Sequence, residues 1–335
     1  MLLDQGVFSL RELKDLPDYD GYLNERQRMQ VDLTLGDEKS EVIDPGLRNE
    51  MNTWEFPLHF IDFETSMVAL PFTKDRKPYE QTAFQFSAHT LFKDGRMEHH
   101  EWIDRHQGVF PNYEFVKQLK SVLDKDEGTI FRYATHENTV LNQIKTQMIE
   151  DDEAKHGDLI EWIETITEWK DGKSKVSGPR NMVDMLQLVR SYYYHPDMKG
   201  SNSIKAVLPA IMAAGTEIKE KYSKPLEFGT HLRSRILYEE NPETGKPENP
   251  YQLLPSQYGD LDLSEDEIIF QDAEVQGGGA ALVAYGKLQF TDMSDTEREA
   301  LQKALLQYCE LDTLAMVMIY EHWKEKLTMT HQLMK

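Results

Sequence analysis

The sequence predicts a mixed α/β fold, one sheet flanked by helices, with a proline-rich insertion late in the chain. Three observations carry this. Residues 58 to 103 contain three strand-like apolar segments, the last two joined by the hairpin signal Asp94-Gly95. From 115 to 166, apolar residues at helical spacing alternate with one further short strand. Strands followed by alternating helix, strand and helix form a mixed sheet with helical cover.

Residues 1–53 are polar and charge-rich, with a capping box at Ser9-Leu10-Arg11-Glu12, and read as an N-terminal arm or linker with short helices. Residues 54–330 read as the main domain. Its first strand is Leu58 to Glu64. The second, Ala83 to Phe92, alternates Phe84, Phe86, Ala88, Thr90 and Phe92 with Gln85, Ser87, His89 and Leu91, and the third spans Met97 to Ile103. A helix follows with Phe115, Val116, Leu119, Val122 and Leu123 on one face, then Gly128 and a strand from Thr129 to Ala134. Two helices carry Val140, Leu141, Ile144 and Met148, and Leu159, Trp162, Ile163 and Ile166; a Lys/Gly/Ser loop then runs to Pro179. A helix from near Met182 is stopped by Pro196, and another spans Ser203 to Ala214 with Pro209 inside it. Prolines 225, 242, 247, 250 and 255 and the triplet Gly277-Gly278-Gly279 make about 215–280 an extended insertion or flap, and a long helix closes the domain from about Asp295 to Lys326.

The 335 residues carry 37 Lys+Arg against 59 Asp+Glu, a net charge of −22. A broad basic grip on nucleic acid is therefore excluded, because that mode needs clustered positive charge to release counterions. A polyanionic substrate has to be met locally, where the sign of the field is inverted. The single cysteine, Cys309, excludes an internal disulfide framework and a Cys-rich zinc module. No apolar run approaches the roughly 18 residues of a membrane span and no signal-peptide pattern opens the chain, so the expectation is a cytoplasmic protein with no membrane partner.

Asp62 and Glu64 are two apart on a strand and so share a face, among Phe60, Ile61 and Phe63. Carboxylates in such a setting are costly unless something positive holds them. A hard divalent cation, Mg²⁺ or Mn²⁺, meets that need; a strand emerging at the surface, with both groups in solvent or paired to Lys or Arg, is the other reading. Tyr308 and Asp312 are four apart on the last helix, on one face and about 6 Å apart along its axis. Leu301, Leu305, Ala315 and Ile319 continue that face and turn it inward, whereas Glu310 falls on another face and is expected in solvent. Tyr308 alternatively is a core tyrosine whose hydroxyl caps Asp312. Glu137 opens a helix, where an acidic residue suits the dipole alone, but it also follows the carboxyl end of a strand, where open α/β sheets place their sites.

Asp-x-Glu on the first strand, an acidic residue after the fourth and Tyr-x-x-x-Asp on the last helix resemble the DEDD 3′→5′ exonucleases of the tyrosine subclass, which have a ribonuclease-H-like core. The first motif corresponds to Ile61-Asp62-Phe63-Glu64-Thr65 and the third to Tyr308-Cys309-Glu310-Leu311-Asp312-Thr313. The second, usually Asn-x-x-Phe-Asp with a Leu four residues on, corresponds to Ala134-Thr135-His136-Glu137 and Leu141, with Ala134 for Asn and Glu137 for Asp. Tyr79, Gln81, Phe84, Gln85, Tyr193-Tyr194-His195-Pro196 and Gly200 to Pro209 make the chain still more similar, over about 56 to 325, to a bacterial family described mainly as a domain of unknown function. Its members look like a DEDD exonuclease placed after a restriction-like nuclease region.

The resemblance implies phosphodiester hydrolysis from a 3′ end of DNA or RNA, two Mg²⁺ or Mn²⁺ ions as cofactors, and a single-stranded nucleic-acid end as substrate. Asp62, Glu64, Glu137 and Asp312 would be the metal ligands. Tyr308, whose ordinary pKa near 10 makes it a poor base, would orient the attacking water. Thr65, Tyr193, Tyr194 and Lys205 are candidates for contact with the strand, by stacking and by charge. Asp184 resembles a supporting Asp of related exonucleases, and His89, His99 and His100 read as ordinary strand positions. Two other readings stay open: a ribonuclease-H-like module that binds nucleic acid or protein with little or no cleavage, and a subunit acting with a nuclease partner protein.

Overall fold

A computed structural model describes residues 6–16, 21, 23–36, 40–254 and 278–333. At its centre is a five-stranded mixed sheet. The hydrogen-bonded meander β2 (Leu58–Ser66), β3 (Thr82–Leu91) and β4 (Met97–Ile103) is antiparallel, and β5 (Ile130–Arg132) and β8 (Val183–Asp184) extend it in parallel on the far side of β2. The strand order β4-β3-β2-β5-β8, flanked by helices, is compatible with a ribonuclease-H-like arrangement.

Alternation along β2 divides the core. Ile61 and Phe63 face α4 (Asn112–Leu123) and α5 (His136–Ile166), where Phe63 meets Phe115 edge-on at 4.9 Å. Leu58 and Phe60 face the other way, toward α6 (Met185–Tyr192), α7 (Ile204–Ala214) and the last helix, α10 (Asp295–Leu333). A β-bulge opposite Glu64 and Thr65 takes in Phe84, turning it from the Phe86 side to stack on Tyr285 of α9 (Gly278–Phe290) at 3.9 Å.

Several expectations change with tertiary context. All ten residues of β3 are buried: its polar side, Gln85, Ser87 and His89, lies under α10, where Gln85 donates to the carbonyl of Leu305 at 2.9 Å. The two helices expected between 136 and 166 are both present within α5, meeting at a kink where Asp152 leaves helical geometry. The Lys/Gly/Ser loop is a hairpin, β6 (Glu168–Asp171) with β7 (Ser174–Ser177), and the first residues assigned to the helix near Met182 are instead strand β8. Within the insertion, α8 (Thr216–Tyr222) and the irregular chain to residue 254 pack down through Leu226, Leu232, Leu237 and Tyr251. The insertion's remainder, 255–277, lies outside the described residues, as do parts of the N-terminal arm.

The arm is built into the fold. After α1 (Leu10–Lys14) and α2 (Glu25–Leu35), β1 (Val42–Ile43) pairs with β9 (Tyr193–Tyr194), and α3 (Gly46–Met51) buries Leu47. Arg26 donates to the carbonyls of Val189 and Tyr193 at 3.2 and 2.8 Å. Glu41 reaches α10, its carboxylate 2.6 Å from His322 Nε2 and 3.0 Å from Lys326 Nζ. Burial raises the Glu41 pKa, but hydrogen bonds and charge from His322 and Lys326 outweigh it and hold the group at about 2. Among the described residues no helix is long and apolar enough to cross a membrane.

Replacing Glu41 by Gln should cost about 2 kcal/mol in denaturant unfolding, less than a fully buried pair because the group keeps some solvent contact. The contribution is present above the ordinary Glu pKa and lost as pH falls from about 4.5 toward about 2, so wild type and variant should converge in that window.

Candidate metal and nucleotide site

The acidic residues of β2 and α10 meet on the α10 side of the sheet. Asp62, Glu64 and Asp312 each place one carboxylate oxygen within 4.8 Å of the others. Glu64 is buried, while Asp62 and Asp312 are partly open to a cavity of about 400 Å³ that Thr65, Tyr133, His136, Lys205 and Tyr308 also line. Glu137, at the first turn of α5, is buried and does not lie within that distance of all three; its Oε2 has no hydrogen-bond partner.

Burial and mutual repulsion dominate the electrostatics. Burial first, then the charges of Asp312, Glu64 and Glu137, push the Asp62 carboxyl well above its ordinary range. Burial raises Glu64 to about 8, helped by Asp312 and opposed by Lys205. Burial likewise takes Glu137 to about 8, and Asp312 reaches about 6, moderated by a hydrogen bond from Tyr251 and the charge of Lys205. Cys309 Sγ lies 3.3 Å from Asp62 Oδ2, and burial, with these neighbouring charges, pushes the thiol up so that it acts as a donor. Three converging carboxylates and an unpartnered buried oxygen on a fourth are a donor set that fits hard divalent cations.

The loop before Glu137 has its own support. Ala134 sits at φ +78°, in the left-handed region that Asn and Gly adopt more readily. Its N–H donates to Asp184 Oδ1 at 3.1 Å, and Arg132 binds both the Ala134 carbonyl and Asp184 Oδ2. Asp184 Oδ1 also accepts from the N–H groups of Leu186 and Gln187 at the start of α6. Asp184 therefore pins the strand end that presents Glu137.

Other expected contacts do not assemble. Tyr193 and Tyr194 are 0% and 2% exposed beneath the N-terminal residues, their hydroxyls bonded to Glu41 and Thr34, so neither ring is available to stack a base. Lys205 does reach the cavity, its ammonium 4.9 Å from the Tyr308 ring, and Thr65 stands at its wall with His136 Nε2 at 3.2 Å.

Glu310 is fully buried rather than solvated, because the chain around residue 230 covers that side of α10. It accepts from the N–H groups of Thr230, His231 and Leu232 at 2.7, 2.7 and 3.2 Å. Gly229, at φ +90°, permits this approach, since a Cβ there would sit 2.5 Å from Glu310 Oε1. His89 and His99 lie beside Glu310, with potential ligand atoms within 4.8 Å of one another. Both His99 nitrogens already bond hydroxyls, Ser87 at 2.9 Å and Thr230 at 2.8 Å, and both Glu310 oxygens bond backbone, so the group reads as a polar network holding that loop. Sequence reasoning missed Tyr251, whose hydroxyl donates to Asp312 Oδ1; its irregular, proline-flanked segment has no periodicity to mark it.

Residues 59–203 match a family described as a domain of unknown function (DUF2779). That span holds Asp62, Glu64, Glu137 and Asp184 and stops short of α10, which supplies Tyr308 and Asp312. No curated protein and no solved structure matches the chain.

Relief of backbone strain should make Ala134→Gly more stable by about 1 kcal/mol in denaturant unfolding. Glu64 and Glu137 hold protons in the folded state that the unfolded chain releases near pH 4.5, so in chelator their contribution to stability is full below about pH 4.5 and lost as pH rises through about 8. Thermal melts from pH 5 to 8 should show this fall, flatter in Glu64→Gln. Added Mn²⁺ should raise the melting temperature more at pH 8 than at pH 5, because fewer protons must be displaced.

Proposed function

We propose that this protein is a metal-dependent 3′→5′ exonuclease that hydrolyses phosphodiester bonds of DNA or RNA with two Mg²⁺ or Mn²⁺ ions. The observation that carries the reading is the meeting of Asp62 and Glu64 from β2 with Asp312 from α10 at the wall of an open cavity, with Glu137 buried nearby. These are the residues the exonuclease resemblance singles out, although they lie far apart along the chain. The polarity of cleavage rests on that resemblance alone.

Asp62, Glu64 and Asp312 would hold the divalent cations, and Glu137, with its unpartnered oxygen, would add a fourth carboxylate to the set. Bound cations neutralise the carboxylates and polarise the phosphoryl group under attack. The protein's own residues do the rest. Lys205 at the cavity wall brings a positive charge to a phosphate oxygen, a local inversion of the protein's overall negative field. Burial, and then the nearby carboxylates, push the Tyr308 phenol up, so it remains protonated and serves as a donor that orients the attacking water rather than as a base. Thr65 and His136, hydrogen-bonded at the cavity wall, are placed to meet the terminal sugar.

The test is incubation of end-labelled single-stranded DNA, duplex DNA and RNA with Mg²⁺, Mn²⁺ or chelator. Wild type should shorten at least one substrate from its 3′ end only when metal is present. Asp62→Asn and Asp312→Asn should each slow cleavage at least about a hundredfold, the equivalent of several kcal/mol of lost charge stabilisation. Uncleaved substrate in every wild-type lane, together with measurable binding, would overturn the enzyme reading in favour of a binding module.

A further inference from the structure

Two tyrosines lie beside Asp312, and they stand in different places. Tyr308 lines the cavity; Tyr251 does not, although its ring centroid is only 5.7 Å from that of Tyr308. Among the described residues no hydrogen bond joins the Tyr308 hydroxyl to Asp312, whereas the Tyr251 hydroxyl donates to Asp312 Oδ1. Tyr251 is 6% exposed, on a short 3₁₀ turn, Pro250–Gln252, started by Asn249, whose side chain accepts the Tyr251 N–H at 3.2 Å. Lys205 lies over both rings, 5.3 Å from Tyr251 and 4.9 Å from Tyr308.

We propose that Tyr251 is a positioning residue for the carboxylate cluster: its hydroxyl fixes the orientation of Asp312 and so sets divalent-cation affinity, while Tyr308 is left free to act in the cavity. The inference rests on the exonuclease reading and goes beyond it. It makes the irregular segment after α8 a component of the metal-binding apparatus. A ligating carboxylate that loses its hydrogen-bonding partner gains rotational freedom, and such losses commonly weaken metal binding by about 10- to 100-fold.

Full-length Tyr251→Phe, Tyr308→Phe, Asp312→Asn and the Tyr251→Phe/Asp312→Asn double variant separate the two roles, with circular dichroism and thermal melts to verify folding. Mn²⁺ binding is read by calorimetry and by the paramagnetic resonance signal of free Mn²⁺, and cleavage is followed against Mn²⁺ concentration. Tyr251→Phe should weaken Mn²⁺ binding about 10-fold or more, yet recover to within about twofold of the wild-type rate at saturating Mn²⁺. Tyr308→Phe should bind Mn²⁺ as wild type does and stay slow at saturation. In the Asp312→Asn background, Tyr251→Phe should change Mn²⁺ affinity no further, because the group it orients has already been altered. Wild-type affinity in Tyr251→Phe, or an equal effect in both backgrounds, would overturn the inference alone. Failure of the unaltered protein to bind Mn²⁺ would overturn it together with the exonuclease reading.

Discussion

The constraint on which the site depends is the burial of like charges. Asp62, Glu64 and Asp312 are held within 4.8 Å of one another between the sheet and its longest helix, with Glu137 sealed in beside them. No apolar packing requires that arrangement, and by itself it opposes folding. The surrounding core has to supply the difference. Phe60 stacks on Phe131 at 4.9 Å, Trp54 meets Phe131 edge-on at 4.7 Å, and the middle of α10 is buried on nearly every side. A helix covered on nearly every side cannot rotate to carry Asp312 away from Asp62 and Glu64.

The same enclosure explains the supporting contacts. Cys309 donates to Asp62, Tyr251 donates to Asp312, and Lys205 brings the compensating charge that lowers both Glu64 and Asp312. Arg132 on β5 and Asp184 on β8 give similar support to Glu137, by holding Ala134 in a left-handed turn. With a net charge of −22, the protein offers a polyanion little attraction at long range. Recognition in the proposed reaction therefore falls to a few groups at the cavity, which suits a strand end better than a long duplex.

Most elements were legible in the sequence because period 2 and period 3.6 are local properties. The β2–β3–β4 meander, the helix with Phe115 and Leu119, and the long last helix all follow from spacing and turn residues. The errors share a cause. Glu310 reads as solvated from the sequence, and Tyr193 and Tyr194 as available to a ligand; each is covered by a segment distant in sequence, respectively the chain around Thr230 and the N-terminal strand β1. β8 escaped notice because two residues are too few to show a period, and Tyr251 because a proline-flanked coil has none.

The sequence by itself determined that Asp62 shares a face with Glu64, and Tyr308 with Asp312, since those relations depend only on backbone geometry within one element. It also determined that the Tyr308 and Asp312 face turns inward, from the apolar residues that continue it, and left the Asp62 and Glu64 face open between a buried and a surface strand. Only the tertiary structure decided that the two faces meet, that Glu137 stands slightly apart, and that Tyr251 rather than Tyr308 holds Asp312. Amphipathic periodicity encodes which side of an element is buried. Which other element buries it depends on long-range packing, where many weak contacts summed over distant segments set the outcome.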